Sequence, residues 1–152
     1  MLIGVISDTH GLLRPEALVA LRGVEHILHA GDVGDIAVLE GLRRIAPVTA
    51  IRGNVDVSGA CAELPATDVV ELGGKLFYLV HSVHDLDIDP VAAGVAMVVS
   101  GHSHKASVSV RKDVVFFNPG SAGPRRFSLP VTVGFVTVED GVEASVMELP
   151  VE

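Results

Sequence analysis

Short apolar runs, each closed by a polar loop, set the pattern of this chain. Leu2-Ile3-Gly4-Val5-Ile6 is apolar throughout, as a strand covered on both faces should be, and it runs into Ser7-Asp8-Thr9-His10-Gly11. Pro15 suits the first turn of a helix reaching about Arg22. Glu25 to Ala30 reads as a second strand, ending at Gly31-Asp32. Asp35 is placed as an N-cap, after which Ile36, Leu39, Leu42 and Ile45 recur at helical spacing until Pro47. Val48 to Ile51 gives a third strand that ends at Gly53-Asn54. Strand alternating with helix predicts a parallel sheet, with polar groups gathered beyond the carboxyl ends of its strands.

The second half has a different rhythm. Val69 to Leu72 and Lys75 to Val80 flank Gly73-Gly74, a hairpin turn. Asp89-Pro90 predicts a short helix to about Gly94. Val95 to Ser100 reads as a buried strand, followed by Gly101-His102-Ser103-His104. Ser107 to Val110 pairs with Val114 to Phe117, and Val131 to Val138 with Val142 to Leu149, across turn residues. The expectation is a mostly antiparallel sheet packed face to face on the first, with helices outside.

Composition narrows the function. A chain of 152 residues reads as one domain, 1–152, able to bury roughly 70% of its unfolded surface. A single cysteine, Cys61, excludes an internal disulfide framework and a cysteine-based zinc site. The net charge of −8 lacks the broad basic footprint needed for duplex nucleic acid. No apolar run is long enough to span a bilayer, and the first eight residues lack the basic stretch of a signal peptide, so a cytoplasmic protein is expected. A homo-oligomer is compatible with the composition, which marks no interface.

Candidate chemistry lies in five loops that each follow an apolar strand: Asp8-Thr9-His10-Gly11, Gly31-Asp32, Gly53-Asn54-Val55-Asp56, His81-Ser82-Val83-His84 and Gly101-His102-Ser103-His104. In an extended loop, residues two apart share a face, so Asp8/His10 and His102/His104 each aim two side chains at one place. Imidazole combined with carboxylate suits a transition metal better than calcium or magnesium alone. Asp85-Leu86-Asp87 imitates a calcium loop, but Pro90 stands where glycine is required. His26 and His29 read as structural.

These motifs closely resemble those of the calcineurin-like metallophosphoesterases, and the short chain with Asn118-Pro119-Gly120-Ser121 looks most like the small bacterial and archaeal YfcE-type phosphodiesterases. The resemblance implies an α/β fold, a four-layer α/β/β/α sandwich of two mixed sheets. It implies two divalent ions, manganese being favoured and nickel, iron, zinc and cobalt also fitting. Asp8, His10, Asp32 and His104 would hold one ion, and Asn54, His81 and His102 the other, with Asp32 bridging. Asn54, Asp32 and His102 then sit closest to the reacting phosphorus, which a metal-activated hydroxide would attack. The implied substrate is a small phosphodiester or nucleotide; the alternatives are a phosphomonoesterase and an inactive binding scaffold like the retromer subunit of this fold. Two aspartates against two divalent ions leave a charge of about +2 to receive phosphate. Family members commonly carry histidine after the asparagine, whereas Val55 stands here. Asp56, His84 and Arg125 (the last with Arg126 beside it) are the substrate-side candidates.

Overall fold

The computed structural model describes residues 1–151. The first strand, β1 (Leu2–Ile6), pairs in parallel with β2 (His26–His29), which pairs in parallel with β3 (Val48–Ala50). Helix α1 (Pro15–Ala20) and helix α2 (Ile36–Arg43) connect them. Asp35 caps α2 as its sequence position predicts, its carboxylate accepting from the Ala37 N–H at 2.9 Å. The α2 face carrying Val38, Leu39 and Leu42 is buried against the sheet.

β4 (Thr67–Leu72) and β5 (Lys75–Val80) form the expected hairpin around Gly73-Gly74. β6 (Val95–Val99) joins β5 in parallel, and β8 (Val114–Asn118) joins β6 in parallel. β7 (Ser107–Arg111) lies antiparallel at the edge. β9 (Thr132–Val138) and β10 (Val142–Glu148) return to the first sheet, β9 antiparallel to β1. The result is two five-stranded mixed sheets, ordered β10-β9-β1-β2-β3 and β4-β5-β6-β8-β7.

The architecture corrects the expectation of a separate, mostly antiparallel second half. The last hairpin pairs with β1, and β5, β6 and β8 run parallel. The predicted helix after Asp89 is a single hydrogen-bonded turn. Asp89 accepts from the Val91 and Ala92 N–H groups as a cap would, but Gly94 at φ 74° turns the chain into β6 before a second turn can form. Both helices therefore lie over the first sheet. The outer face of the second, with Tyr78, Val80 and Val98, is covered by the segment carrying Leu86 and Ile88.

Between the sheets, Ile3 and Val5 meet Phe77, Leu79, Met97 and Phe117, all buried. The opposite face of β1 carries Ile6, which packs toward the helices. Coverage on both sides explains why β1 is apolar at consecutive positions. Each sheet contributes three parallel strands, and their carboxyl ends open onto one set of loops. Phe77 has no exposed surface and fills the space between the sheets. Phe77→Ala should lower stability by about 3–5 kcal/mol, read as a drop in the urea midpoint.

Candidate metal centre

The loops after β1 and β2 run side by side, tied by main-chain hydrogen bonds from Asp8 to Gly31 (3.0 Å), His10 to Asp32 (2.9 Å) and Gly11 to Val33 (2.8 Å). From the second sheet, Gly101 N–H donates to the His81 carbonyl at 2.9 Å. The loops are not extended, as the i, i+2 reading had them. Asp8, His10, Asp32, His102 and His104 all adopt positive φ, between 47° and 72°. Among the described residues, only Lys112, Asp113 and Phe127 join them outside glycine. A left-handed non-glycine residue costs roughly 1–2 kcal/mol, so five in one place signals a conformation fixed by its surroundings. It turns each side chain inward at the strand end.

Asp8 and Asp32 are buried, and each has one oxygen held by the protein. Asp8 Oδ2 accepts from Ser7 Oγ (2.7 Å) and the His102 N–H (3.0 Å). Asp32 Oδ1 accepts from the Val55 N–H at 3.0 Å. The other oxygens face imidazoles. Asp8 Oδ1 lies 3.4 Å from His104 Nε2, 3.8 Å from His81 Nε2 and 4.0 Å from His10 Nε2. Asp32 Oδ2 lies 3.2 Å from His81 Nε2 and 3.6 Å from His10 Nε2. Asp8 Oδ1, His10 Nε2, His81 Nε2 and His104 Nδ1 are buried without a hydrogen-bond partner. Asp8-His10-His104 and Asp8-Asp32-His81 each bring their ligand atoms within 4.8 Å of one another.

His81 shows why this arrangement wants a cation. Its Nδ1–H donates to the Ala30 carbonyl at 2.7 Å, so the neutral ring presents a lone pair at Nε2. That lone pair faces a carboxylate oxygen, acceptor against acceptor, until a proton or a metal ion lies between them. Protonation is one answer. Burial lowers the pKa of His81, but Asp32 and the Ala30 carbonyl outweigh it and raise the net value. Burial likewise opposes ionisation of Asp32, yet His81 and the Val55 N–H hold its pKa at about 2. Burial raises Asp8, against the pull of Ser7 and the histidines, and burial lowers His104. Carboxylate and imidazole donors with bare, inward atoms are the other answer, a site fitted to a divalent transition metal.

The remaining expected ligands stand at the mouth. His102 Nδ1 lies 3.2 Å from Asn54 Oδ1, and both residues are exposed. The His102 ring meets that of His81 edge-on at 5.2 Å. All seven residues thus gather at one end of the two sheets.

The substrate-side expectations fare differently. Asp56 is buried, and its carboxylate accepts from the Val33, Gly34 and Gly53 N–H groups at 2.9–3.0 Å. It clasps the loops after β2 and β3 together and has no room to meet a substrate. Arg125 is tied to the carbonyls of Leu129 and Val151, away from the ligands. Arg126 is the nearer arginine, close enough to His104 to disfavour its protonation. His84 is exposed and lines the clefts beside the centre.

Several supporting groups escaped the sequence reading. Ser121 Oγ donates to the Asp8 carbonyl at 3.1 Å. Asn118 Nδ2 donates to the Gly101 carbonyl at 2.9 Å and to Ser103 Oγ at 3.1 Å. Asn118-Pro119-Gly120-Ser121 therefore supports the centre through its side chains. His29 is structural, as expected: its Nδ1 accepts from the Gly31 N–H at 3.1 Å, its Nε2–H then donates to Thr9 Oγ1 at 3.0 Å, and Thr9 donates to the Val33 carbonyl. Glycine is required where backbone meets carboxylate. A side chain at Gly53 would strike Asp32 Oδ1, and one at Gly101 would strike Ser7 Oγ and Asp8 Oδ2.

Comparison with known proteins fits this geometry. Residues 1–141 match the family model described as the calcineurin-like phosphoesterase superfamily domain. The chain belongs to that superfamily, whose members are metal-dependent. It is 33% identical over its whole length to a probable metallophosphoesterase of Methanocaldococcus jannaschii, covering 82% of that protein. It is 36% identical to a probable metallophosphoesterase of Methanothermobacter thermautotrophicus, with 86% of this chain and 82% of that one covered. Its fold resembles an archaeal phosphodiesterase at a TM-score of 0.79 (24% identity, 97% and 100% covered). Vps29 of Chaetomium thermophilum gives 0.78 (21% identity, 99% and 98% covered).

Two outcomes test the supports. Gly101→Ala should weaken manganese binding at least 10-fold by isothermal titration, with the fold kept by circular dichroism. His29 is wholly buried, and burial drops its pKa from 6.5 to about 4. The unfolded chain therefore binds the extra proton between those values, and stability falls as pH drops through that window, by about 3 kcal/mol in all. Above pH 6.5 the effect is gone. Urea midpoints at pH 7 and pH 4 should diverge less in His29→Gln than in the wild type.

Proposed function

We propose that this protein is a dinuclear metal-dependent phosphoesterase that hydrolyses phosphodiesters of small molecules or nucleotides. The observation that carries the reading is the set of buried, unpartnered carboxylate and imidazole atoms converging from both sheets. The first ion is assigned to Asp8, His10, Asp32 and His104, the second to Asp32, Asn54, His81 and His102. Asp8 is the residue shared by both close groups of ligands. Asp32 would nevertheless be the bridge, because its free oxygen lies closer to His10 and His81 (3.6 and 3.2 Å) than Asp8 Oδ1 does (4.0 and 3.8 Å). The mixed donor set favours manganese, with nickel, iron, zinc and cobalt as competitors.

When bound, such ions supply a water acidified toward neutral pH and positive charge against the phosphoryl oxygens. The chain's own groups do the positioning. Ser7 and the His102 N–H hold Asp8, the Val55 N–H holds Asp32, and the Ala30 carbonyl fixes His81 in the tautomer with a free Nε2. Asn54, at the mouth beside His102, is assigned the role of receiving a phosphoryl oxygen. Hydrolysis adds water across one P–O bond and yields a phosphomonoester and an alcohol. Val55 is 42% exposed at the same mouth and has no proton to give that alcohol. Esters with good leaving groups are thus favoured. We place the enzyme in the cytoplasm as a single catalytic domain; among the described residues no helix is long and apolar enough to cross a membrane.

Bis(4-nitrophenyl) phosphate with manganese should be hydrolysed, and activity should vanish on chelation and return with metal. Asp32→Asn should lower kcat at least 100-fold while the thermal midpoint of the metal-free protein stays close to wild type. Undiminished turnover after chelation would refute the mechanism. Tight metal binding without turnover of any mono- or diester would favour the binding-scaffold reading.

A further inference from the structure

Two clefts leave the metal centre, and they differ in size and charge. The larger, about 670 Å³, includes Arg52, Thr67, Asp85 and Asp87 among its walls. The smaller, about 170 Å³, runs down the outer face of the second sheet past Ser103, Ser107, Ser109, Arg111 and Phe116. His84 and His102 line both, so the two clefts meet beside the second set of ligands.

The smaller cleft has a defined chemistry. Ser107, Ser109 and Arg111 alternate along β7 and so share one face. The Arg111 guanidinium carbon lies 4.8 Å above the Phe116 ring, which orients the flat cation. No carboxylate lines this cleft, and Arg111 makes no ion pair among the described residues. The other lysines and arginines among the described residues also lack ion pairs; what sets Arg111 apart is its place in a carboxylate-free cleft, stacked on Phe116. The larger cleft contrasts with it, since it carries two aspartates and its Arg52 is bound to the Leu64 carbonyl. Ser107 pairs with Asn118, next to the His102 loop, and Arg111 stands four positions further along the strand, roughly 13 Å away.

We infer that the smaller cleft binds one arm of a phosphodiester, a hydroxylated arm ending in a second anionic group such as a phosphate. Arg111 grips the terminal anion and sets specificity, the hydroxyls of Ser107 and Ser109 meet the linker, and the larger cleft takes the other arm. This rests on the phosphoesterase reading of the metal centre.

Three substrates test it: bis(4-nitrophenyl) phosphate, and 4-nitrophenyl diesters whose second arm is either glycerol or glycerol 3-phosphate. The wild type should show a KM at least 10-fold lower for the phosphate-ended arm than for the glycerol arm. Arg111→Gln should erase that difference, leaving kcat and the hydrolysis of bis(4-nitrophenyl) phosphate within twofold. A wild type without the preference, or a variant that keeps it, overturns the inference. If none of the three esters turns over in the wild type, the phosphoesterase reading fails by itself. The cleft is then judged by NMR titration of the metal-free protein with glycerol 1,3-bisphosphate. Saturable shifts at the Arg111 Nε–H and the Ser107–Arg111 amides that disappear in Arg111→Gln support the anion grip, and their absence overturns it.

Discussion

Two buried aspartates each have one oxygen bound by the protein and the other aimed at imidazole nitrogens, and the organisation of this molecule depends on that division. If all four oxygens were satisfied internally, the residues would make an ordinary buried polar network. If none were, the carboxylates would be free to turn and to take protons. Ser7, the His102 N–H and the Val55 N–H fix the angle of each carboxylate and leave one bare corner. The Ala30 carbonyl does the same for His81 by occupying Nδ1. Bare acceptors packed at 3.2–4.0 Å repel one another unless a proton or a cation joins them.

Such crowding needs a stiff frame. The six parallel strands supply it, three from each sheet, their core filled by residues such as Ile3, Val5, Phe77 and Phe117. The loops are then cross-tied. Asp56 joins the loops after β2 and β3, Asn118 holds the loop carrying His102 and His104, and Ser121 holds the Asp8 main chain. These ties keep five candidate ligand residues in left-handed backbone that the chain would otherwise leave. The backbone strain and the unpartnered atoms coincide, as they do where binding energy is stored for a ligand. Membership of the calcineurin-like phosphoesterase superfamily points to a metal as that ligand.

Much of this was legible beforehand, and the errors are instructive. The candidate ligand residues stand out in the sequence because each follows an apolar strand, a pattern that local sequence records well. Alternation along an extended loop also brings Asp8, His10, His102 and His104 together, but in the structure they meet through left-handed backbone instead. Asp56 looked like a substrate-side acid because sequence gives no sign that three N–H groups point at it. Arg125 and Arg126 are neighbours of identical chemistry, and only the surrounding carbonyls separate them. The alternating pattern of β9 and β10 suits the second sheet as well as the first, yet the partner of β9 is β1 at the opposite end of the chain. Nothing local encodes a pairing over that separation.

Sequence by itself determined the inventory: which strands are buried on both faces, where helices begin, which loops carry carboxylate, amide and imidazole, and the family those loops resemble. These depend on hydrophobic periodicity and on residue chemistry, both properties of short segments. Tertiary structure decided which oxygen of each aspartate stays bare, which histidine tautomer is imposed, which arginine faces the centre and how two clefts divide the approach to it. Those outcomes are set by hydrogen-bond partners supplied from distant strands, so they come into being only when the two sheets close on one another.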